Sequence, residues 1–284
     1  MHNYTWKEKL LFGSIHINLK KLQKELRGKT VLITGASSGI GERLAYLLAD
    51  TESHLILVAR RGDKLSAMKE QIDKRAAQVS IFCADLRNEE EMRSFLSFLH
   101  TFPQGLDVVV SNAGISIRRS IFESLDRLHD FKRTMAINYF APVELLLSVI
   151  PMLKKNKGQI INISTINMWM IPLPFWSAYQ ASKSAFDTWL RSAGPELNAS
   201  GITTTTIYLP LVRTPMILPT ASYRDTPAMS PDHASKIIAK VMYTKRRIYT
   251  PWWLVFAQWG SVLFRCFWER MAPAAVTRKK GDNR

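Results

Sequence analysis

Tyr179 and Lys183 stand four residues apart in Ser177-Ala178-Tyr179-Gln180-Ala181-Ser182-Lys183, a spacing that puts both on one face of a helix. A phenol with an unperturbed pKa of about 10 is a weak acid at neutral pH, and a neighbouring ammonium lowers that value by favouring the phenolate. Such a pair can serve as general acid in carbonyl reduction, or as base in the reverse reaction. Upstream, Ser164 closes the apolar run Gln159–Ser164 and offers a hydroxyl able to orient a carbonyl oxygen.

A second stretch carries different chemistry. Thr34-Gly35-Ala36-Ser37-Ser38-Gly39-Ile40-Gly41 follows the β-branched run Thr30-Val31-Leu32-Ile33 and precedes the helical pattern of Glu42–Ala49. A strand, a glycine-rich turn and a helix N-terminus in that order make a phosphate cradle. The glycines allow close backbone approach, and the free N–H groups with the helix dipole attract an anion. The spacing is G-x-x-x-G-x-G rather than the standard dinucleotide G-x-G-x-x-G. Gly35, Ser37, Ser38, Gly39, Ile40 and Gly41 are its candidate cofactor contacts.

The elements that must position these groups follow from the hydrophobic pattern. Strands are expected at Thr30–Thr34, His54–Ala59, Val79–Cys83, Leu106–Ser111, Gln159–Ser164 and Thr203–Leu209. Helices are expected at Asp63–Lys74, Glu89–Leu99, Phe131–Leu153 with an interruption at Pro142, and Ala178–Leu197. The nearly all-apolar fourth strand fits a parallel strand covered on both faces. Repeated β-α units of this length predict an α/β fold, a Rossmann-type doubly wound parallel sheet with helices on both faces, over residues 29–250. Residues 1–28 read as an N-terminal amphipathic helical extension and 251–284 as an aromatic, basic C-terminal extension.

In such sheets the ligand lies outside the carboxyl ends of the strands. Arg60 follows strand two, 19 residues beyond Gly41, where an NAD-binding chain would offer Asp or Glu to the ribose. A guanidinium suits a ribose 2′-phosphate by charge and by fork geometry, so NADPH is the expected cofactor. Asp85, with Leu86 beside it, ends strand three and could accept a hydrogen bond from the adenine amino group. Asn112-Ala113-Gly114 ends strand four and allows close backbone approach.

Thr34–Gly41, Asn112-Ala113-Gly114, Asn138, Ser164 and Tyr179-x-x-x-Lys183 resemble, in order and spacing, the short-chain dehydrogenase/reductase family over residues 28–250. The resemblance implies a catalytic tetrad of Asn138, Ser164, Tyr179 and Lys183. In that family Tyr gives the proton and Ser positions the carbonyl. Lys holds the nicotinamide ribose and tunes Tyr, and Asn supports a water-linked relay. It also implies cofactor contacts from Pro210, Val212 and Thr214 after strand six, and a homo-oligomer. Two departures stand out: Ser111 replaces the first Asn of Asn-Asn-Ala-Gly, and Leu211 replaces the Gly of Pro-Gly.

Three segments are similar to the bacterial fatty acyl-CoA reductase branch: Asn112–Arg119, His129–Met135, and Pro210–Met216 with its missing glycine. That branch reduces a long-chain acyl-CoA to the aldehyde. Arg118, Arg119, Lys132 and Arg133 could meet CoA phosphates or be solvated surface charge. The apolar loop Met168–Trp176 lies between Ser164 and Tyr179, so an acyl chain or another lipid is its natural guest, a subunit contact the alternative. The expected activity is NADPH-dependent reduction of a lipophilic carbonyl, long-chain acyl-CoA first. A 3-oxoacyl, steroid-like or other ketone reductase is the rival enzyme, and a cofactor-binding scaffold the non-enzymatic rival.

The formal net charge of +16 is concentrated at the ends. Residues 1–30 carry seven Lys/Arg against two acidic residues, and 245–284 carry nine against two. No base-reading motif accompanies this charge, so nucleic acid is not the expected partner. An anionic membrane surface or a phosphorylated substrate fits it better. The uncharged run Ile248–Phe264, 17 residues, is at the short limit for spanning a bilayer, and its tryptophans suit an interface. Peripheral membrane contact is therefore expected, with a hydrophobic lid or dimer surface as the alternative. Two cysteines, Cys83 and Cys266, predict no disulfide framework and a cytoplasmic setting. Six scattered histidines show no metal-ligand spacing.

Overall fold

β1 (Thr30–Thr34) lies inside a seven-stranded sheet of order β3-β2-β1-β4-β5-β6-β7, every pair parallel. The other strands are β2 (His54–Ala59), β3 (Gln78–Cys83), β4 (Val108–Ser111), β5 (Gln159–Thr165), β6 (Thr203–Leu209) and β7 (Ile248–Tyr249). This computed structural model describes residues 4–217, 223 and 226–281, the backbone alone beyond 274. The outermost three residues of each terminal extension lie outside the described residues.

Alternation along β1 sends its side chains into two cores. Val31 and Ile33 join one cluster with α3 (Gly39–Leu48) and α9 (Pro231–Thr244). Leu32 faces the other, with α5 (Glu89–His100), α7 (Ala141–Lys155) and α8 (Ser177–Ala199). α4 (Gly62–Ile72) covers β2 and β3 on the first side, through Leu65, Met68 and Ile72. The chain reverses its order between β1 and β4, so their carboxyl ends open a crevice there.

The long helix expected over Phe131–Leu153 is three pieces. α6 (Leu128–Met135) runs into a π-turn, Ala136–Phe140, and then into α7. The interruption thus precedes Pro142, which sits in the first turn of α7, where a missing N–H costs no helical bond. The π-turn carries Asn138. The combined stretch Leu128–Lys155 is the one described helical run long and apolar enough to cross a membrane; Ile137, Leu145, Leu146, Val149 and Leu153 fill the second core, while Leu128, Phe140 and Leu147 are exposed.

The N-terminal extension is two helices instead of one. α1 (Trp6–Phe12) stops at Gly13, whose φ of +63° is a conformation glycine adopts readily. α2 (Leu19–Leu26) buries Leu22 and Leu26 completely in the first core. At the other end, α10 (Leu254–Leu263) and α11 (Arg265–Gly281) follow β7.

Candidate active site

The glycine turn is tight because backbone meets backbone there. A Cβ on Gly35, whose φ is +67°, would lie 2.9 Å from Ala113 Cα, and one on Gly41 would lie 2.5 Å from Gly35 O. Asn112 secures this contact: its Nδ2 donates to Thr34 O at 2.9 Å. The N–H groups of Asn112 and Ala113 both donate to Thr34 Oγ1 at 2.9 Å. Ser38 is the N-cap of α3 and makes no side-chain cap, leaving the first N–H groups of the helix free of it. Thr214 lies directly over the turn, since a Cβ on Gly39 would be 2.8 Å from its Cγ2. Pro210 and Val212 lead to it, Val212 bridging to Met229.

Charge is arranged beside the cradle. Arg61 donates from Nη2 to Ser37 O at 2.6 Å and from Nε to Ser37 Oγ at 3.2 Å. Arg60 is exposed, with Nη1 3.9 Å from Asp85 Oδ2. Asp85 is held mainly by Arg87, whose guanidinium and backbone N–H keep its carboxyl below the ordinary range against the effect of burial. Leu86 is buried next to it. Arg61 was not among the residues expected to contact the cofactor, although Arg60-Arg61 at a strand end is visible in the sequence.

Asn138 and Lys183 converge on Gly114. A Cβ on Gly114 would lie 2.8 Å from Asn138 Oδ1 and 3.6 Å from Lys183 Nζ. Asn138 is fully engaged: Oδ1 accepts from Ile115 N at 3.0 Å, while Nδ2 donates to Ile115 O and to Ser182 Oγ, each at 2.9 Å. Lys183 donates to Ile163 O at 3.1 Å. Burial pulls its ammonium down to about 8, opposed by Asp187. The Tyr179 hydroxyl is pushed up to about 12 by burial and by Tyr223, with the Thr165 hydroxyl opposing. This differs from the sequence expectation of an ammonium-lowered phenol, because burial outweighs every other influence on Tyr179 here.

Ser164, next to last in β5, sits beside its register partner Tyr208 on β6, and α8 brings Asp187 to the same place. Burial pushes the Asp187 carboxyl up, while Tyr208, Arg191, Ser164 and Lys183 pull it back. Ser164 Oγ and Asp187 Oδ1 are buried without a hydrogen bond of good geometry. The Ser164 hydroxyl thus lies beside Asp187, whose carboxylate it helps to hold charged. Asp187 was missed in the sequence, yet it lies four residues after Lys183 and so shares its helical face.

The loop Met168–Trp176 borders this centre, as expected. Trp176 is buried, packing edge-on to Tyr179 and stacked on Tyr223 with centroids 5.6 Å apart. Phe175 holds a φ of +72°, uncommon for an aromatic residue, with its carbonyl accepting from Arg119 N at 2.8 Å. Arg118 lies over the Phe175 ring at 4.9 Å. Arg119 and Arg133 pair with the buried Asp130 at 3.1 and 3.2 Å, so these two of the four cations considered for phosphate binding are used internally. Cys83 stands near Gly62 and Cys266 lies in α11, both as free thiols outside the tetrad.

A dinucleotide suits this arrangement: a backbone cradle that admits no Cβ, two arginines at its edge, and polar side chains meeting at Gly114. Residues 29–224 match the family model described as short chain dehydrogenase. The chain is 42% identical over 237 residues to a fatty acyl-CoA reductase of Acinetobacter baylyi, covering 81% of this chain and 80% of that one. It is 36% identical over 222 residues to a fatty acyl-CoA reductase of Mycobacterium tuberculosis, covering 78% and 76%. Among solved structures, a short-chain dehydrogenase from Sphingobium yanoikuyae in complex with NADPH superposes with a TM-score of 0.73 at 24% identity, covering 86% of this chain and 95% of that one.

Proposed function

From a chain that belongs to the short-chain dehydrogenase/reductase family, and is thus a nicotinamide-dependent oxidoreductase, we propose an NADPH-dependent reductase of lipophilic carbonyls whose substrate is a long-chain fatty acyl-CoA. The observation that carries the redox chemistry is the meeting of Asn138 and Lys183 at Gly114, with Tyr179 one helical turn before Lys183 on α8. The acyl-CoA assignment is supported by the similarity to the two named acyl-CoA reductases and by the apolar loop beside Tyr179.

NADPH would be held by the cradle Gly35–Gly41, by Arg60 and Arg61 around a 2′-phosphate, by Asn112–Gly114, and by Thr214 over the turn. When bound, it supplies the hydride. Ser164 donates its hydroxyl to the substrate carbonyl oxygen and fixes its direction. Tyr179 stays protonated across neutral pH and is the proton source for that oxygen. Lys183 contributes positive charge below about pH 8, and Asn138 orients the segment at Ile115. With neither thiol in the tetrad, hydride and the Tyr179 proton convert the bound thioester to a thiohemiacetal, whose C–S bond then breaks as its hydroxyl proton passes to sulfur, leaving aldehyde and free CoA. A homo-oligomer belongs to this reading, with exposed Phe140 and Leu147 on one side of the π-turn and α7 as its apolar surface.

The test follows NADPH oxidation and CoA release together on a long-chain acyl-CoA. Matched consumption and release, reduced at least about a hundredfold in Tyr179→Phe, is the expected result. NADPH oxidation on ketones with no CoA release would replace the acyl-CoA with a ketone substrate.

A further inference from the structure

α10 buries Leu254 and turns most of its other large apolar side chains outward. Its exposed positions are Val255, Phe256, Trp259, Val262 and Leu263, a helical stripe of large apolar side chains turned away from the protein. Its half-buried positions are Ala257, Gln258, Gly260 and Ser261. Ser261 Oγ accepts from Ile171 N at 3.4 Å, tying this helix to the loop beside Tyr179.

The stripe continues onto the other end of the chain. Trp252 and Trp253 donate their indole N–H groups to Leu10 O and Leu11 O at 3.1 and 3.0 Å. These bonds fix the C-terminal segment to the end of α1, whose own exposed face carries Trp6 and Leu10. The cations on the elements that make this surface outnumber its acidic groups. On α1, Lys7 lies over the Trp6 ring and Lys9 is exposed, and Arg265 and Arg270 are exposed just beyond α10. The acidic groups nearby are engaged: Glu8 is buried against Arg213, and Glu269 is paired with Arg265.

We propose that α1, the Trp252–Trp253 turn and α10 form one surface that docks on an anionic lipid headgroup layer. Charge complementarity selects lipid over a second copy of this chain, whose matching face would carry the same positive charge. Ten helical residues reach about 15 Å, half of the roughly 30 Å hydrocarbon core, so α10 lies on the bilayer and does not cross it. The Ser261–Ile171 contact then sets the loop bordering Tyr179 next to the lipid. The docking stands apart from the acyl-CoA reading.

The experiment sediments the full chain, loaded with NADPH, with phosphatidylcholine vesicles with and without phosphatidylglycerol. Expected is binding to the anionic vesicles, falling roughly tenfold or more as salt rises from about 0.1 M to about 1 M. Replacing Phe256→Ser and Trp259→Ser together should lower partition by at least about a hundredfold. Those variants should keep wild-type thermal stability and NADPH binding, which excludes unfolding as the cause. Wild type remaining in the supernatant, or binding both vesicle types equally, overturns the proposal. So does a dimer, measured by light scattering, that dissociates in Trp259→Ser without any vesicle binding. An enzyme inactive on acyl-CoA that still sediments supports the docking and counts only against the substrate reading.

Discussion

Lys183 and Asp187 illustrate how burial sets the working range of a single side chain. Lys183 would lose its charge as pH rises through about 8, and the carboxylate one helical turn away resists that loss. Asp187→Asn removes the resisting charge, so the alkaline limb of the kcat/KM profile should move to lower pH, while Arg191→Gln should move it much less. The linkage has a definite sign: a lysine whose folded pKa is depressed binds its proton less tightly than in the unfolded chain. Lys183 therefore disfavours folding below pH 8, and this penalty fades as pH rises from there toward the unfolded value. Arg61 makes a second residue-scale case. Its fork already grips Ser37, and a 2′-phosphate would meet the same guanidinium. Arg61→Ala should lower kcat/KM for NADPH by roughly ten- to a hundredfold and leave NADH nearly unchanged, as a charge-assisted hydrogen bond of about 1.5–3 kcal/mol requires.

At the scale of elements, the short helix α1 acts as a clasp. Its N-cap Thr5 and Glu8 form a capping box, and Glu8 also reaches Arg213 and accepts from Ala228 N at 3.2 Å. Burial tends to raise the Glu8 carboxyl, but the Thr5 and Ala228 bonds and Arg213 outweigh it and leave it below the ordinary value. Its stabilising contribution is therefore present above the usual glutamate range and is lost as pH falls through the lower folded value. Arg213 adjoins Thr214, which covers the glycine turn, so Glu8→Ala should loosen both ends of this connection. Expected are a loss of about 1–2 kcal/mol, seen in thermal unfolding, and a raised KM for NADPH. The glycine turn is a stricter element. Gly35→Ala would force a Cβ to 2.9 Å from Ala113 Cα at a positive φ and should weaken NADPH binding in calorimetry, with about 2 kcal/mol lost from stability.

The whole molecule joins its two ends at one place. Indole donors from residues 252 and 253 cap α1, and α2 is sealed into the core by Leu22 and Leu26. A chain ending at Thr250 should keep the seven-stranded sheet and bind NADPH, yet its α1 amides should exchange hydrogen faster than those of the full chain. Unchanged protection of residues 6–13 would show that Glu8, Tyr4 and the packing of Phe12 hold α1 without the indole bonds.

Some of this was legible in the linear chain because the signals are local. β1, the glycine turn and the helix after it are read from β-branched residues and glycine spacing, and Tyr179 with Lys183 from a single helical turn. The parallel sheet follows from the repeated units. Tertiary structure decided what depends on long-range packing. The π-turn that aims Asn138 at Ile115 has no periodic signature, since it is one residue's excess in an otherwise helical run. Arg119 and Arg133 became partners of Asp130 only because α6 buries that carboxylate. The hydrophobic run near the C-terminus gave no direction by itself, because a helical stripe can face a core or solvent equally well. In the folded chain its stripe faces outward, with Trp252 and Trp253 bonded to carbonyls of α1 some 240 residues away in sequence and Ser261 bonded to Ile171.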